Sequence, residues 1–230
     1  MLQLLKEKLK VMIFEIYFLE EIYKNMEYIL FFDVETTGLL NTKPYIVSIA
    51  YSLYEHKHNQ DFNLEKPVKV LEKYSIVKPP TDDYIIPEES VKVHGITTQP
   101  AINEGISIQD VISDLHHVFD TYDVKTIIAH NINFDIKVLM LQLDRYDTNH
   151  KISLKHKLFN VEVYCTMKET IDMMNLERTN SRGTYKKYPK LEELYSKLFE
   201  GEKFDAHNAL EDVKACVRCY FKFVFKIDVY

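Results

Sequence analysis

Asp33 and Glu35 stand two residues apart at the end of the apolar run from Tyr28 to Phe32. Side chains at i and i+2 of an extended chain point to the same side, so these two carboxylates are neighbours. Anions that close repel each other, and one stays protonated unless a cation sits between them. A hard divalent metal with oxygen ligands is such a cation. Two further stretches offer acids of the same kind. Ile127 to Asp135 is a short apolar strand running into a polar turn, with Asp135 in the first turn of a helix. His207 to Asp212 opens the C-terminal helix, with a histidine at its entrance and an acid one turn in. Each stretch alone also has a plainer reading. The first pair would be a solvated strand edge or turn cap. Asp135 with Asn133 would cap a helix, a role worth about 1 kcal/mol. His207 would be a core or helix-capping histidine.

The elements that position these residues follow from periodicity. Tyr28 to Asp33 reads as a buried strand, and Thr36-Thr37-Gly38 as a turn. Ile46 to Tyr54 and Val68 to Val77 read as two more strands, joined as a hairpin through the polar stretch His56 to Lys66. Glu88 to His94 is a short helix ended by Gly95. Ser107 to Tyr122 places Val111, Ile112, Leu115, Val118 and Phe119 on one helical face. Thr126 to Ala129 is a strand, Phe134 to Leu143 a helix with Ile136, Leu139, Met140 and Leu143 inward, and Val161 to Cys165 the last strand. Helices are expected from Met167, Lys190 and Asn208 onward. Strands clustered first and then alternating with helices fit a mixed sheet flanked by helices.

The chain has 230 residues, suited to one α/β domain, and 46% of them are hydrophobic, enough for a core. A net charge of −6 argues against a protein that coats nucleic acid through a basic surface, though not against binding in one cleft. That charge is uneven, because residues 150–190 hold nine Lys or Arg against four Asp or Glu. Arg178 to Lys190, with Tyr185 and Tyr188 interleaved, reads either as a phosphate-tracking and base-stacking segment or as a solvated loop. Cys165, Cys216 and Cys219 make no disulfide framework. Cys216 and Cys219 lack the second pair that a structural zinc site needs, and read as reduced thiols on a helix in an intracellular protein. The most apolar stretch, Val11 to Leu19, is interrupted by Glu15 and is too short to span a membrane. No alanine precedes Ala50 to form the usual signal-peptide cleavage site. Residues 1–25 form a segment of their own, an amphipathic helix with Leu2, Leu5, Leu9, Met12, Ile16, Leu19 and Tyr23 in a heptad-like stripe. It would pack on the domain of residues 26–230 or serve a partner.

Taken together, the three acidic stretches resemble the DEDD exonuclease superfamily, which includes polymerase proofreading domains. Asp33 and Glu35 match its first motif, Asp135 its second and Asp212 its third, and His207 marks the histidine-bearing branch. His94-Gly95-Ile96-Thr97, His130-Asn131, Ala209, Cys165-Thr166-Met167 and Pro189-Lys190-Leu191 are similar as well. The resemblance covers Tyr28 to about Phe225 and implies a ribonuclease H-like α/β fold, a five-stranded mixed sheet with helices on both faces. It implies 3′→5′ hydrolysis of phosphodiester bonds with two divalent ions, Mg²⁺ or Mn²⁺. In that scheme Asp33 bridges both ions, Glu35 and Asp212 hold the one carrying the attacking water, Asp135 supports the other, and His207 takes the water's proton. Thr36, Thr37 and Gly38 would hold the terminal nucleotide, Leu39 would wedge against its base, and Asn131 would touch substrate. His94 is expected to be structural. The expected substrate is a single-stranded or frayed 3′ end of DNA, in proofreading or repair, with RNA as the alternative. A polymerase or a second copy of the chain, engaged through residues 1–25, is the expected partner. A non-catalytic polymerase-associated module is the reading that the intact acidic set opposes.

Overall fold

An eleven-residue strand, β1 (Met26–Thr36), runs through the middle of the sheet and carries the first acidic pair. The computed structural model describes residues 26–57, 65–146 and 149–230, so the helix expected over residues 1–25 lies outside the described residues. The other strands of the main sheet are β2 (Ile46–Lys57), β3 (Val68–Ile76), β4 (Val124–Ala129) and β5 (Glu162–Cys165). Their order is β3-β2-β1-β4-β5. β2 pairs antiparallel with β1 and, as expected, with β3, while β4 pairs in parallel with β1 and β5 in parallel with β4. This is the five-stranded mixed sheet of the ribonuclease H-like fold.

Both faces of β1 are covered, and alternation decides which residue goes where. Leu30, Phe32 and Val34 lie in the larger core under α3 (Ile108–Thr121), α4 (Ile132–Arg145) and α5 (Lys151–Asn160). Ile29 and Phe31 lie in the second core under α8 (Leu191–Leu198) and α9 (Ala209–Phe225). Asp33 and Glu35 continue this second row, so the acids emerge where the α9 core ends. A third, small core beside the sheet involves α1 (Glu88–His94) and α2 (Thr98–Glu104). Gly95 closes α1 at φ 76°, its N–H on Val91 O at 2.8 Å, as the sequence predicts. Cys216 and Cys219 are buried free thiols on α9, also as expected. Among the described residues, no helix is long and apolar enough to cross a membrane.

Four features depart from the sequence reading. The helix expected from Met167 is two single turns, α6 (Thr166–Glu169) and α7 (Ile171–Met174). Thr170 Oγ1 donates to Thr166 O at 2.7 Å, a side-chain bond that competes with the helical ladder at the break. β5 is not the last strand, because Glu177–Asn180 (β6) and Gly183–Lys186 (β7) form a separate antiparallel ribbon. α2 was hidden by Pro100, which is tolerated in a helix's first turn. α5 was hidden by its weak amphipathicity, with only Leu154 and Leu158 buried.

The seat of α9 on β1 is aromatic. The Phe221 ring, fully buried, lies 5.8 Å from those of Phe31 and Tyr54. Phe221→Ala should therefore cost roughly 3–5 kcal/mol in urea unfolding, the usual range for emptying an aromatic site in a core. A loss under about 1 kcal/mol would mean that this contact does not seat α9.

Candidate active site

β1 outruns its neighbour, and that mismatch brings in the second acid. Pairing between β1 and β4 ends at Phe31 opposite Ile128, leaving the last residues of β1 without a strand on that side. The chain leaves β4 through Asn131, whose left-handed backbone (φ 73°, ψ 41°) turns it into α4. Asp135, one turn into α4, accepts a hydrogen bond on Oδ1 from Val34 N at 3.3 Å. A buried amide without a ladder partner must find another acceptor, and the Asp135 carboxylate fills that role. Asp135 thus has a partner on β1 beyond the first-turn position that the capping reading gave it. Asn131 holds the N-cap position and its side chain makes no cap bond.

The third acid comes from α9. Asn208 caps this helix by accepting from Leu210 N at 3.1 Å, and His207 precedes the cap with φ 70°. That left-handed residue turns its N–H onto Asp212 Oδ2 at 2.9 Å. Its ring projects outward, with Nε2 3.9 Å from Glu192 Oε1. Oxygens of Asp33, Glu35 and Asp212 all lie within 4.8 Å of one another, the one group of three or more potential ligands among the described residues. Asp135 adjoins them through β1.

Crowding and burial shift all four acids the same way. Burial pushes the Asp33 carboxyl well above its usual range, and Asp135, Asp212 and Glu35 add to the effect. Asp135 is pushed up to about 8 by burial, against the two backbone N–H groups that favour its anion. Asp212 is pushed up to about 7 by burial and by Glu35, with His207 opposing. Burial raises Glu35 as well. None of the four has a lysine or arginine partner among the described residues. An all-oxygen donor set with uncompensated negative charge fits hard divalent cations such as Mg²⁺ or Mn²⁺.

These residues border a cleft of about 430 Å³. Asn131 lines it, with an exposed side chain. Thr36, Thr37, Gly38 and Leu39 do not line it and instead form the turn that follows Glu35. Thr37 exchanges two bonds with Tyr45, its N–H to Tyr45 O at 3.0 Å and its Oγ1 accepting from Tyr45 N at 2.9 Å. From α4, Gln142 and Arg145 both donate to Pro44 O, so this loop is clamped at its far end. Leu39 is 70% exposed, which disposes of core packing as its role. His94 Nδ1 accepts from Ile96 N at 3.1 Å, a local bond in keeping with the structural role expected of it.

The opposite wall of the cleft runs from Tyr188 to Glu192, so the end of the Arg178 to Lys190 segment lies in the site, and the part played by His130 in holding this wall is what sequence reasoning missed. His130 ties that wall down. Its Nε2–H donates to Pro189 O at 3.0 Å, which leaves Nδ1 to accept from Thr166 Oγ1 at 3.0 Å. Burial pushes this imidazole down to about 4, so it is neutral in ordinary buffers. The similarity of His130-Asn131 and Pro189-Lys190-Leu191 to the superfamily's motifs was the signal that could have marked the pair.

A family model described as RNase_T, exonuclease, matches residues 30–220. Among solved structures, Escherichia coli exonuclease I in complex with a dT13 oligonucleotide superposes with a TM-score of 0.59 at 22% identity, over 85% of this chain and 41% of that one. Exonuclease I from Methylocaldum szegediense superposes with a TM-score of 0.58 at 18% identity, over 86% of this chain and 41% of that one. The chain thus spans about two fifths of the length of these proteins, and the likeness is one of fold. A comparison with curated protein sequences finds no match.

The raised carboxyls carry a consequence for stability. Each holds its proton in the folded chain at a pH where the unfolded chain, near the ordinary value of about 4, has released it. Their stabilising share is complete below about pH 4 and is lost as pH rises through about 7 for Asp212 and about 8 for Asp135. In EDTA, Tm should fall by roughly 5 °C or more between pH 5.5 and 8.5, and Mn²⁺ should restore it at the upper end. A metal-free Tm that is level or rising across this window would contradict the crowded-acid picture.

Proposed function

Because the chain belongs to the RNase_T exonuclease family, we propose that it removes nucleotides from the 3′ end of single-stranded DNA by metal-dependent hydrolysis, releasing 5′-mononucleotides. That it is a nucleic-acid exonuclease follows from the family. The direction, substrate and cofactor rest on the site. The observation that carries the cofactor is the convergence of Asp33, Glu35, Asp135 and Asp212, from three separate elements, on one cleft, none of them ion-paired to a lysine or arginine among the described residues. The structures of E. coli exonuclease I with dA16 and dT13 lend support for DNA as the substrate.

The four acids would hold two divalent ions, Mg²⁺ or Mn²⁺, whose charge eases deprotonation of the attacking water and offsets the charge developing on the phosphoryl oxygens. His207 takes the water's proton. Histidine suits that task because it changes charge near neutral pH. Its backbone conformation holds the ring outside α9, with Nε2 3.9 Å from Glu192 Oε1. The His207 N–H on Asp212 couples the position of the base to that of a ligand. On the substrate side, the clamped turn Thr36-Thr37-Gly38 holds the terminal nucleotide, and Leu39 projects to lie against its base. Asn131, which lines the cleft and makes no side-chain cap bond, would meet a phosphate or sugar. A wall fixed through His130 keeps the cleft's width set before substrate arrives.

The test is hydrolysis of dT12 labelled at either end, with Mn²⁺ titrated by calorimetry. Wild-type protein should shorten 5′-labelled dT12 one nucleotide at a time and release the label of 3′-labelled dT12 at once as mononucleotide. Asp33→Asn should abolish turnover and weaken Mn²⁺ binding, since a neutral amide replaces an anionic ligand. His207→Ala should keep Mn²⁺ affinity and KM while kcat falls roughly 10²–10⁴-fold, the usual loss for a missing general base. Activity that persists in excess EDTA, products arising from the 5′ end, or a His207→Ala enzyme with near wild-type kcat would each sink part of this reading.

A further inference from the structure

Beside the cleft stands the β6–β7 ribbon, whose eight strand residues are all exposed. Its base is fastened. Lys187 N donates to Leu176 O at 2.8 Å, the Lys187 ammonium pairs with Glu193 at 2.6 Å, and Lys186 pairs with Asp172. The side chains further out are used differently. Arg178 and Arg182 have no ion-pair partner among the described residues. Arg178 stands directly opposite Tyr185 in the register, so guanidinium and phenol project from one face. Tyr185 is 45% exposed, and Tyr188, just after β7, is 51% exposed and lines the cleft together with Lys190. The basic segment 150–190 thus ends, in a chain of net charge −6, with exposed arginines and a tyrosine on the ribbon and, a few residues on, with Tyr188 and Lys190 in the lining of the acidic cleft.

Such a surface fits one kind of occupant. A protein partner usually needs an apolar centre to its interface, and the ribbon offers none beyond its tyrosine. Unpaired guanidinium groups answer to phosphates, and exposed phenol faces answer to bases that are free to stack. On the exonuclease reading above, we propose that β6–β7 is the docking ribbon for the single-stranded DNA just upstream of the 3′ end in the cleft, with Arg178 and Arg182 on phosphates and Tyr185 stacked on a base. Four-residue strands at about 3.3 Å per residue extend roughly 13 Å. At about 3.4 Å per stacked nucleotide, that length serves about four nucleotides beyond those in the cleft.

The ribbon makes affinity depend on strand length. With full-length protein in Ca²⁺, fluorescence anisotropy of 5′-labelled dT3, dT6 and dT12 should show wild-type affinity rising with length. In the variant Arg178→Ala/Arg182→Ala/Tyr185→Ala that rise should disappear, with dT12 bound roughly 5-fold or more weakly, since one stacked base and two phosphate contacts are gone. Its plot of log Kd against log salt should lose a slope of about 1.4, at about 0.7 per phosphate contact on a single strand. The conservative variant Arg178→Lys/Arg182→Lys/Tyr185→Phe should keep the rise, and an equal unfolding temperature in both variants shows that the change is local. A triple-alanine protein with the wild-type length dependence and salt slope overturns the proposal, as does an equal gain for a blunt 12-bp duplex. Should the wild type lose its length dependence in the variant yet hydrolyse nothing with Mn²⁺, the ribbon stands and the exonuclease reading falls.

Discussion

Four carboxylates held together at the end of β1 repel one another, and the surrounding structure serves to keep them there. Burial alone makes each anion costly, and a second acid nearby adds to the cost. The fold supplies few opposing groups. Val34 N–H answers Asp135 and His207 N–H answers Asp212, while Asp33 and Glu35 have no side-chain cation among the described residues. The scaffold that resists this repulsion is β1 itself, packed on both faces, with α9 seated on one by Phe221 and α4 held against the other. A cluster that destabilises its own protein when charged is explained by what it binds.

Backbone mismatch does much of the positioning. Because β4 ends before β1 does, an amide is left open where an acid is wanted, and α4 begins close enough to supply it. Because His207 takes a left-handed conformation ahead of α9, its ring clears the helix while its N–H stays on Asp212. The far wall of the cleft is fixed by a different device, the neutral His130 imidazole spanning Thr166 and the Pro189 carbonyl. The placement of Asp135, the orientation of the His207 ring and the width of the cleft thus come from three separate local solutions.

How far these features were legible in the sequence follows from the range of each interaction. The apolar run ending in Asp33 and Glu35 gave β1 and its paired acids directly, since alternation is local. The order of strands and helices, with the spacing of Asp135, His207 and Asp212, then gave the fold through resemblance. Asp135 by itself read as a cap because its real partner, Val34, is 101 residues away. His130 likewise had no visible role, its partner Pro189 being 59 residues on. Arg178 to Lys190 stood out by charge, but its two strands did not, because they are four residues long and polar throughout, without the apolar alternation that marks a half-buried strand.

The central claim is that the four acids are a cation site kept partly protonated until the cation arrives. Proton release on Mn²⁺ binding measures this most directly, by calorimetry at pH 7 in buffers of differing ionisation enthalpy. Metal binding requires ionised carboxylates, and Asp135 at about 8 and Asp212 at about 7 still hold protons at that pH. Roughly one proton or more should leave per chain, with the number falling as pH rises towards 9. Tight Mn²⁺ binding with no proton released at pH 7 would contradict the account.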